Sequence, residues 1–236
     1  MKIGNVSVGD KPRTAVIVSD KTTDDQLGKL KEAGVDFLEL RVDKCEKIDS
    51  NSLIKLINRF KKFNFPIIAT IRMPEEGGDK FIDDRKREKI FTDILAHVDA
   101  IDIELQSYDL IENMLEAIHE KDKILIGSYH NFKRTPDYIE LNDIISDGKD
   151  WGCDIIKIAV KTKSNDDMIN LLKITLERVN EGLISIAIGA EGKASRVFFP
   201  FVGSLITYGF IDEAAAPGQI DIFTLIKQIN FYTDKE

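Results

Sequence analysis

Short apolar runs rich in β-branched residues recur along the chain at a nearly constant interval. That interval limits the possible folds more than any other feature. The runs are Ala15–Val18, Phe37–Leu40, Ile67–Ile71, Ala100–Leu105, Ile124–Ser128, Asp154–Ala159, Leu183–Ile188 and Leu205–Tyr208, with centres about 27 residues apart. Helical periodicity fills the gaps at Asp24–Ala33, Ser52–Phe60, Asp84–Val98, Leu110–His119, Asp137–Asp147, Asn165–Val179 and Gln219–Phe231. In Ser52–Phe60, for instance, Leu53, Leu56, Ile57 and Phe60 fall on one stripe. Strand alternating with helix, and no linker rich in Pro, Gly or Ser, predicts an α/β fold. Eight such units favour a closed (β/α)8 TIM barrel over an open doubly wound sheet. Residues 1–236 are therefore read as one barrel domain. Residues 1–12 form an N-terminal β-hairpin covering one end, and residues 203–219 supply strand eight and a lid loop. Gly203, Gly209 and Gly218 give that loop backbone freedom.

Composition agrees with a single large core. The chain has 236 residues, 43% hydrophobic and 31% charged. A domain of that length buries about 70–75% of its unfolded surface. No run approaches the roughly 18 apolar residues of a membrane span, so no membrane partner is expected. The N-terminal MKIGNVSVGDKPRTAVIVSD alternates instead of building an apolar block, so no signal peptide is expected. The net charge of −8, from 33 basic and 41 acidic residues, argues against a nucleic-acid partner, because phosphate binding needs a basic surface. Cys45 and Cys153 form no CxxC pair and no zinc pattern, which fits a reducing cytoplasm.

Strand parity carries the chemistry. Side chains alternate faces along a strand. Glu39 and Arg41 share a face in Phe37–Arg41, as do Asp102 and Glu104 in the next ionisable run. Ile126, Ser128 and His130 share another, and Ile68, Thr70 and Arg72 line up. Lys157 stands opposite in parity to Ile156 and Ile158. Unpaired buried charges cost several kcal/mol each, so these groups must meet each other, a ligand or water. Most fall near strand C-termini, where a barrel carries its active site.

Lys157 is the most pointed of them, because a lysine inside DIIKIAV gains nothing by exposure. An ordinary amine with pKa about 10.4 is neutral in roughly one molecule in 2,500 at pH 7. Desolvation and nearby cations (Arg41, Arg72 or Arg196) would make Lys157 a nucleophile able to form a Schiff base with a ketone or aldehyde. The alternative is a lysine that only pairs with Glu39 or Glu104. His130 ends a neighbouring strand and is placed to move a proton at carbon next to an iminium. After strand three, Gly77–Gly78 would let RMPEEGG fold back so that Glu75 or Glu76 enters the mouth. GAEGKASR fits neither phosphate-loop pattern, and its Arg196 is suited to grip a carboxylate through two parallel hydrogen bonds.

ELRVD, TIRMPEEGG, SYHNFKRTP, the lysine of IIKIAV, GAEGKASR and AAAPGQ stand in the order found in the type I 3-dehydroquinate dehydratase family, and from Ser19 to Ile220 the chain resembles it. The resemblance implies a (β/α)8 barrel, usually a homodimer. It implies dehydration of 3-dehydroquinate to 3-dehydroshikimate, in the shikimate pathway to aromatic amino acids, with no metal and no organic cofactor. Lys157 would form the imine with the C3 ketone. His130 would take a proton from C2 and help expel the C1 hydroxyl, with Glu76 tuning it. Glu39, Arg41 and Arg72 would bind ring hydroxyls and shape the field. Arg196 and Gln219 would hold the carboxylate, and Ser19 resembles a pocket residue. Ala215 stands where the family usually has a serine that contacts substrate, Ile188 where it often has methionine, and Asn131 where many members have aspartate. The rival readings are a class I aldolase or transaldolase-like imine enzyme and a non-catalytic carboxylate-binding barrel. Asp102 and Glu104 fit either the catalytic shell or buried structural roles.

Overall fold

The computed structural model describes residues 1–212 and 217–233. The chain opens with an antiparallel hairpin, β1 (Lys2–Ile3) and β2 (Val6–Ser7). Eight strands follow: β3 (Thr14–Val18), β4 (Phe37–Arg41), β5 (Ile67–Thr70), β6 (Ala100–Glu104), β7 (Ile124–Asn131), β8 (Ile155–Lys161), β9 (Leu183–Ile188) and β10 (Thr207–Phe210). Between them lie α1 (Asp24–Ala33), α2 (Ser50–Lys61), α3 (Asp84–Ile94), α4 (Tyr108–Glu120), α5 (Tyr138–Asp150), α6 (Asn165–Glu177) and the short α7 (Ser195–Phe198). The two-residue β11 (Ile220–Asp221) and α8 (Ile222–Thr233) complete the described strands and α-helices.

The strands form a curled parallel sheet in the order β11-β10-β3-β4-β5-β6-β7-β8-β9, the expected TIM-barrel type of α/β fold. Between β9 and β10, single contacts bridge the seam in place of a strand ladder. Leu205 N–H donates to Leu183 O (2.8 Å) and Ser185 N–H to Ser204 Oγ (3.0 Å). The stretch leading into β11 wedges into the mouth end of this seam. Gly189 N–H donates to Pro217 O (2.9 Å), and Ile220 pairs with Gly209 of β10.

Helix starts follow local chemistry. Thr23 caps α1 in a reciprocal box with Gln26, and Ser164 does the same for α6 with Asp167. Most helices lie within a turn of their expected ends. The helix expected over Asp84–Val98 stops at Ile94 and tightens into a 3-10 turn, Leu95–His97. The helix expected to start at Gln219 starts at Ile222, because β11 takes the preceding residues.

Two cores of opposite parity result. Leu38, Leu40, Ile101, Ile103, Ile156 and Ile158 face the helices. Phe37, Ile68, Ala100, Ile126, Ile155 and Ile184 fill the bottom of the barrel, where Ile3 and Val8 of the hairpin segment seal them. Burying each large apolar side chain is worth about 1.5–3 kcal/mol. This floor leaves the upper interior positions for polar side chains. Cys45 and Cys153 are free buried thiols, pushed up to about 11 and about 12 by burial. Among the described residues, no helix is long and apolar enough to cross a membrane.

Candidate active site

Lys157 stands at the middle of β8, in register with Ser128 of β7 and Ile184 of β9. It is 4% exposed. Its ammonium donates to Glu39 Oε2 (2.8 Å) and Asp102 Oδ2 (3.2 Å), and lies 4.4 Å from the centre of the Tyr208 ring. The charges touching Lys157 are therefore carboxylates, as in the alternative that paired it with Glu39, and Asp102 stands where that reading named Glu104. β4 and β6 send Glu39 and Asp102 into the barrel on the same parity; of the arginines above them, Arg41 is bound elsewhere and Arg72 reaches only the other oxygen of Asp102, among its other bonds.

Arg72 is the hub of those other bonds. One guanidinium nitrogen donates to Glu104 Oε1 (2.9 Å) and Ser128 Oγ (2.6 Å), the other to Asp102 Oδ1 (2.8 Å). Arg87 reaches in from α3 to the second oxygen of Glu104, and also binds Ser107 and Asp84 (2.8 Å each). Asp102 and Glu104 thus separate in role. Asp102 bridges Lys157 and Arg72, whereas Glu104 joins Arg72 to Arg87 and takes the Met73 N–H (2.9 Å). Burial works against the Asp102 carboxylate, but the Arg72 and Lys157 charges outweigh it and hold Asp102 below the usual carboxylate range. Burial likewise opposes the Arg72 charge, and the surrounding carboxylates raise its pKa above the ordinary arginine value.

Arg41 forks onto Asp43 (2.8 and 2.7 Å) and donates to Gly77 O (3.1 Å). Asp43 also receives the backbone N–H of Arg72 and of Asp79. Sequence reasoning missed Asp43 and Arg87. Asp43 had a weak signal, two residues after Arg41 in ELRVD. Arg87 had none, since one arginine on a charged helix looks solvated.

The glycine pair after β5 does fold the chain back, and it selects Glu76 over Glu75. Pro74–Glu76 forms a 3-10 turn closed by Gly77 at φ +86°, and Gly78 N–H donates to Met73 O (2.8 Å). A Cβ on Gly78 would lie 2.0 Å from Arg72 O, so only glycine fits. Glu76 is buried and Glu75 exposed. Glu76 Oε2 accepts the His130 backbone N–H (2.9 Å) and lies 2.8 Å from His130 Nδ1. His130 is not quite the end of its strand: β7 runs one residue further, to Asn131. Burial pushes Glu76 up to about 8, with the Arg72 charge pulling the other way. Burial, then the Arg72 and Lys157 charges, hold His130 well below the ordinary imidazole value.

Arg196 sits on α7, an element too short to show helical periodicity. Thr207 Oγ1 binds its carbonyl oxygen (2.8 Å) and fixes the backbone there. Its side chain is buried, and its Nε has no hydrogen-bond partner. No carboxylate pairs with it among the described residues. Burial lowers its pKa to about 10.

One cleft at the C-terminal ends of the strands collects Lys157, His130, Glu76, Glu39, Arg41, Arg72, Arg196 and Gln219, with Tyr208, Phe132, Ile186 and Ile188. Ser19 is not brought into it. Ser19 lines an adjoining cavity with Lys21, Thr22 and Lys44, and Ile17 and Gln219 border both. Ala215 lies outside the described residues. Among the described residues, no three His, Cys, Asp or Glu side chains are grouped to hold a metal ion. The cleft combines an amine, a tuned imidazole and a guanidinium lacking a counterion, a set suited to a carbonyl compound that carries a carboxylate.

Residues 14–236 match the type I 3-dehydroquinase family. The chain belongs to that family. It is 38% identical to the 3-dehydroquinate dehydratase of Thermodesulfovibrio yellowstonii, over 91% of this chain and 93% of that one. It is 36% identical to that of Aquifex aeolicus, over 90% and 95%. The solved type I 3-dehydroquinate dehydratase of Clostridium difficile, with covalent modified comenic acid, superposes with a TM-score of 0.91 at 26% identity, covering 98% of this chain and 97% of that one. The solved Aquifex aeolicus enzyme gives 0.83 at 33% identity, covering 94% and 100%. In this type I 3-dehydroquinase the Gly77–Gly78 turn is what aims Glu76 at His130. Gly78→Ala is expected to push the turn off Arg72 O, lower the midpoint of thermal unfolding and cut turnover at least tenfold. A variant with unchanged stability and rate would show that the turn tolerates a side chain.

Proposed function

We propose that this type I 3-dehydroquinase is a hydro-lyase that converts 3-dehydroquinate to 3-dehydroshikimate through an imine on Lys157. One observation carries the reading. A buried lysine, a His–Glu pair and a buried arginine without a counterion face the same cleft.

The reaction begins with loss of a proton from the Lys157 ammonium. Glu39, at the shorter distance, is the acceptor, since Asp102 is already held as a carboxylate by Arg72 as well. The free amine attacks the C3 carbonyl, and the carbinolamine loses water to give an iminium. The iminium withdraws electrons and acidifies C2. His130 takes the C2 proton, and the resulting enamine expels the C1 hydroxyl, which leaves as water with the proton from His130. A second water hydrolyses the conjugated iminium and restores Lys157, so one water is lost overall. Arg196, with Gln219 beside the cleft, receives the carboxylate. That local charge matters because the whole chain carries −8 and does not attract anions. Arg72 has both terminal nitrogens committed to protein acceptors, so its part is mainly the field it sets up, while Arg41 commits Nε and Nη2 and keeps Nη1 for a ring hydroxyl. A class I aldolase has less support, because a sugar phosphate needs several donors and the cleft leaves one guanidinium uncompensated.

Borohydride added with 3-dehydroquinate is expected to leave a reduced adduct on Lys157 by mass mapping. His130→Ala should still be trapped while turning over about 10²–10⁴-fold more slowly. An adduct on another lysine, or near-normal turnover by His130→Ala, would overturn these roles.

The pH dependence follows from the pair. His130 is a base when Nε2 is unprotonated, which requires Nδ1–H donated to a Glu76 carboxylate. Glu76 is pushed up to about 8, so that form grows as pH rises through about 8. Arg196 loses its charge near 10, and carboxylate capture fails above that. The kcat/KM profile, which follows the free enzyme, should rise through about pH 8 and fall near pH 10. Glu76→Gln should remove the rising limb; a profile of the unsubstituted protein with no rise through about pH 8 counts against the assignment.

Family membership also supports a place in the shikimate pathway, a cytoplasmic setting and a homodimer. The face formed by α7, the turn after it and α8 exposes Phe198, Phe201, Phe231 and Tyr232, with the Tyr232 ring stacked edge-on between the Phe201 and Phe231 rings (6.3 and 5.1 Å). A contiguous apolar patch of this kind marks an interaction site. Sedimentation should show a dimer that Phe231→Glu weakens; a monomer at all concentrations would remove the homodimer from this reading.

A further inference from the structure

We infer that Tyr208 is a further catalytic residue of the cleft, its ring face carrying the positive charge on the Lys157 nitrogen and on the iminium that replaces it. The inference rests on the imine reading of Lys157 and adds a residue to it.

Tyr208 lies on β10, on the interior parity of the barrel, and is 3% exposed. The centre of its ring is 4.4 Å from Lys157 Nζ, within the range where a cation is held by a ring face. It lines the same cleft as His130 and Arg196. Burial, with the Glu39 and Asp102 carboxylates close by, keeps the phenol protonated far above its usual range, so the residue adds no charge of its own.

The ring matters more after imine formation than before it. An ammonium has three N–H donors, and Lys157 spends two of them on Glu39 and Asp102. An iminium nitrogen bonded to two carbons keeps one N–H. At most one of the two carboxylate bonds survives, while the positive charge remains. Contact with a ring face needs no N–H, and its pull on the nitrogen strengthens once one carboxylate no longer neutralises that charge. Its attraction is largest where water is excluded, as in this cleft. Stabilisation that grows from the resting state to the intermediate speeds the chemical step, whereas uniform stabilisation would not.

Ring electronics can be varied without changing shape. The test places phenylalanine at this position (Tyr208→Phe), then phenylalanines with one, two and three ring fluorines, which drain the negative face stepwise. Tyr208→Phe is expected to keep kcat within about threefold of the unsubstituted protein. The trifluorinated ring should lower kcat by about tenfold, with a smaller fraction of enzyme trapped by borohydride at steady state and an unchanged unfolding midpoint. A flat series overturns the inference, as does full loss in Tyr208→Phe, which would assign the function to the hydroxyl. If the phenylalanine protein does not fold, Tyr208→Leu tests the same point: it should still form the imine but turn over at least tenfold more slowly, and an undiminished rate overturns the inference. Failure of the underlying reading looks different, since the unsubstituted protein would then give no adduct on Lys157 at all.

Discussion

Lys157 is a charge placed in the centre of a parallel barrel, and the rest of the interior is arranged around keeping it there. An isolated charge in such a place costs many kcal/mol, so it must be matched. Glu39 and Asp102 match it, and each match calls for another. Asp102 is shared with Arg72, Arg72 with Glu104, and Glu104 with Arg87 on the outer helix α3. The signs alternate along the whole path. Removing one member leaves its neighbour buried and unpaired, a loss of about 3–5 kcal/mol in comparable cases. A one-residue slip of β4 or β6 would turn Glu39 or Asp102 toward the helices. The network therefore specifies strand register as well as charge.

Arg196 breaks the pattern. It is as buried as Arg72, yet no carboxylate pairs with it among the described residues, and burial lowers its pKa toward 10. Among the described residues, the other buried arginines, Arg13, Arg41, Arg72 and Arg87, are each paired with a carboxylate. The His130–Glu76 pair is tuned the opposite way to an ordinary ion pair, with burial favouring the uncharged form of each partner. An imidazole kept neutral beside two cations is the state a proton carrier needs. Both features depend on water being kept out by the apolar floor below and by Phe132, Tyr208 and the isoleucines around the cleft.

Much of this was legible in the sequence. The eight strand runs and their parity follow from period-two alternation against an apolar background, because a parallel strand buried on both faces admits charged residues only where they converge. Glu39, Arg41, Arg72, Asp102, Ser128, His130 and Lys157 all point inward as that parity requires. The short α7 escaped notice, since four residues carry no periodicity. The partner of Lys157 was read as Glu39 or Glu104 and is Glu39 with Asp102, because strand tilt decides which layer faces which, and no spacing along one strand records tilt.

By itself, the order of residues determined the α/β alternation, the inward face of each strand and the motifs that mark the family. Those are local or periodic properties, written in neighbours a few residues apart. Only the tertiary structure decided the pairings. It gave Arg72 to Asp102 and Glu104, drew Arg87 in from a surface-like helix, chose Glu76 over Glu75, set Ser19 in an adjoining cavity and laid Tyr208 over Lys157. Each of these depends on the curl of the sheet and on where a loop turns back. They join side chains as much as 118 positions apart, as Lys157 and Glu39 are, and such contacts leave no mark in the periodicity of either strand.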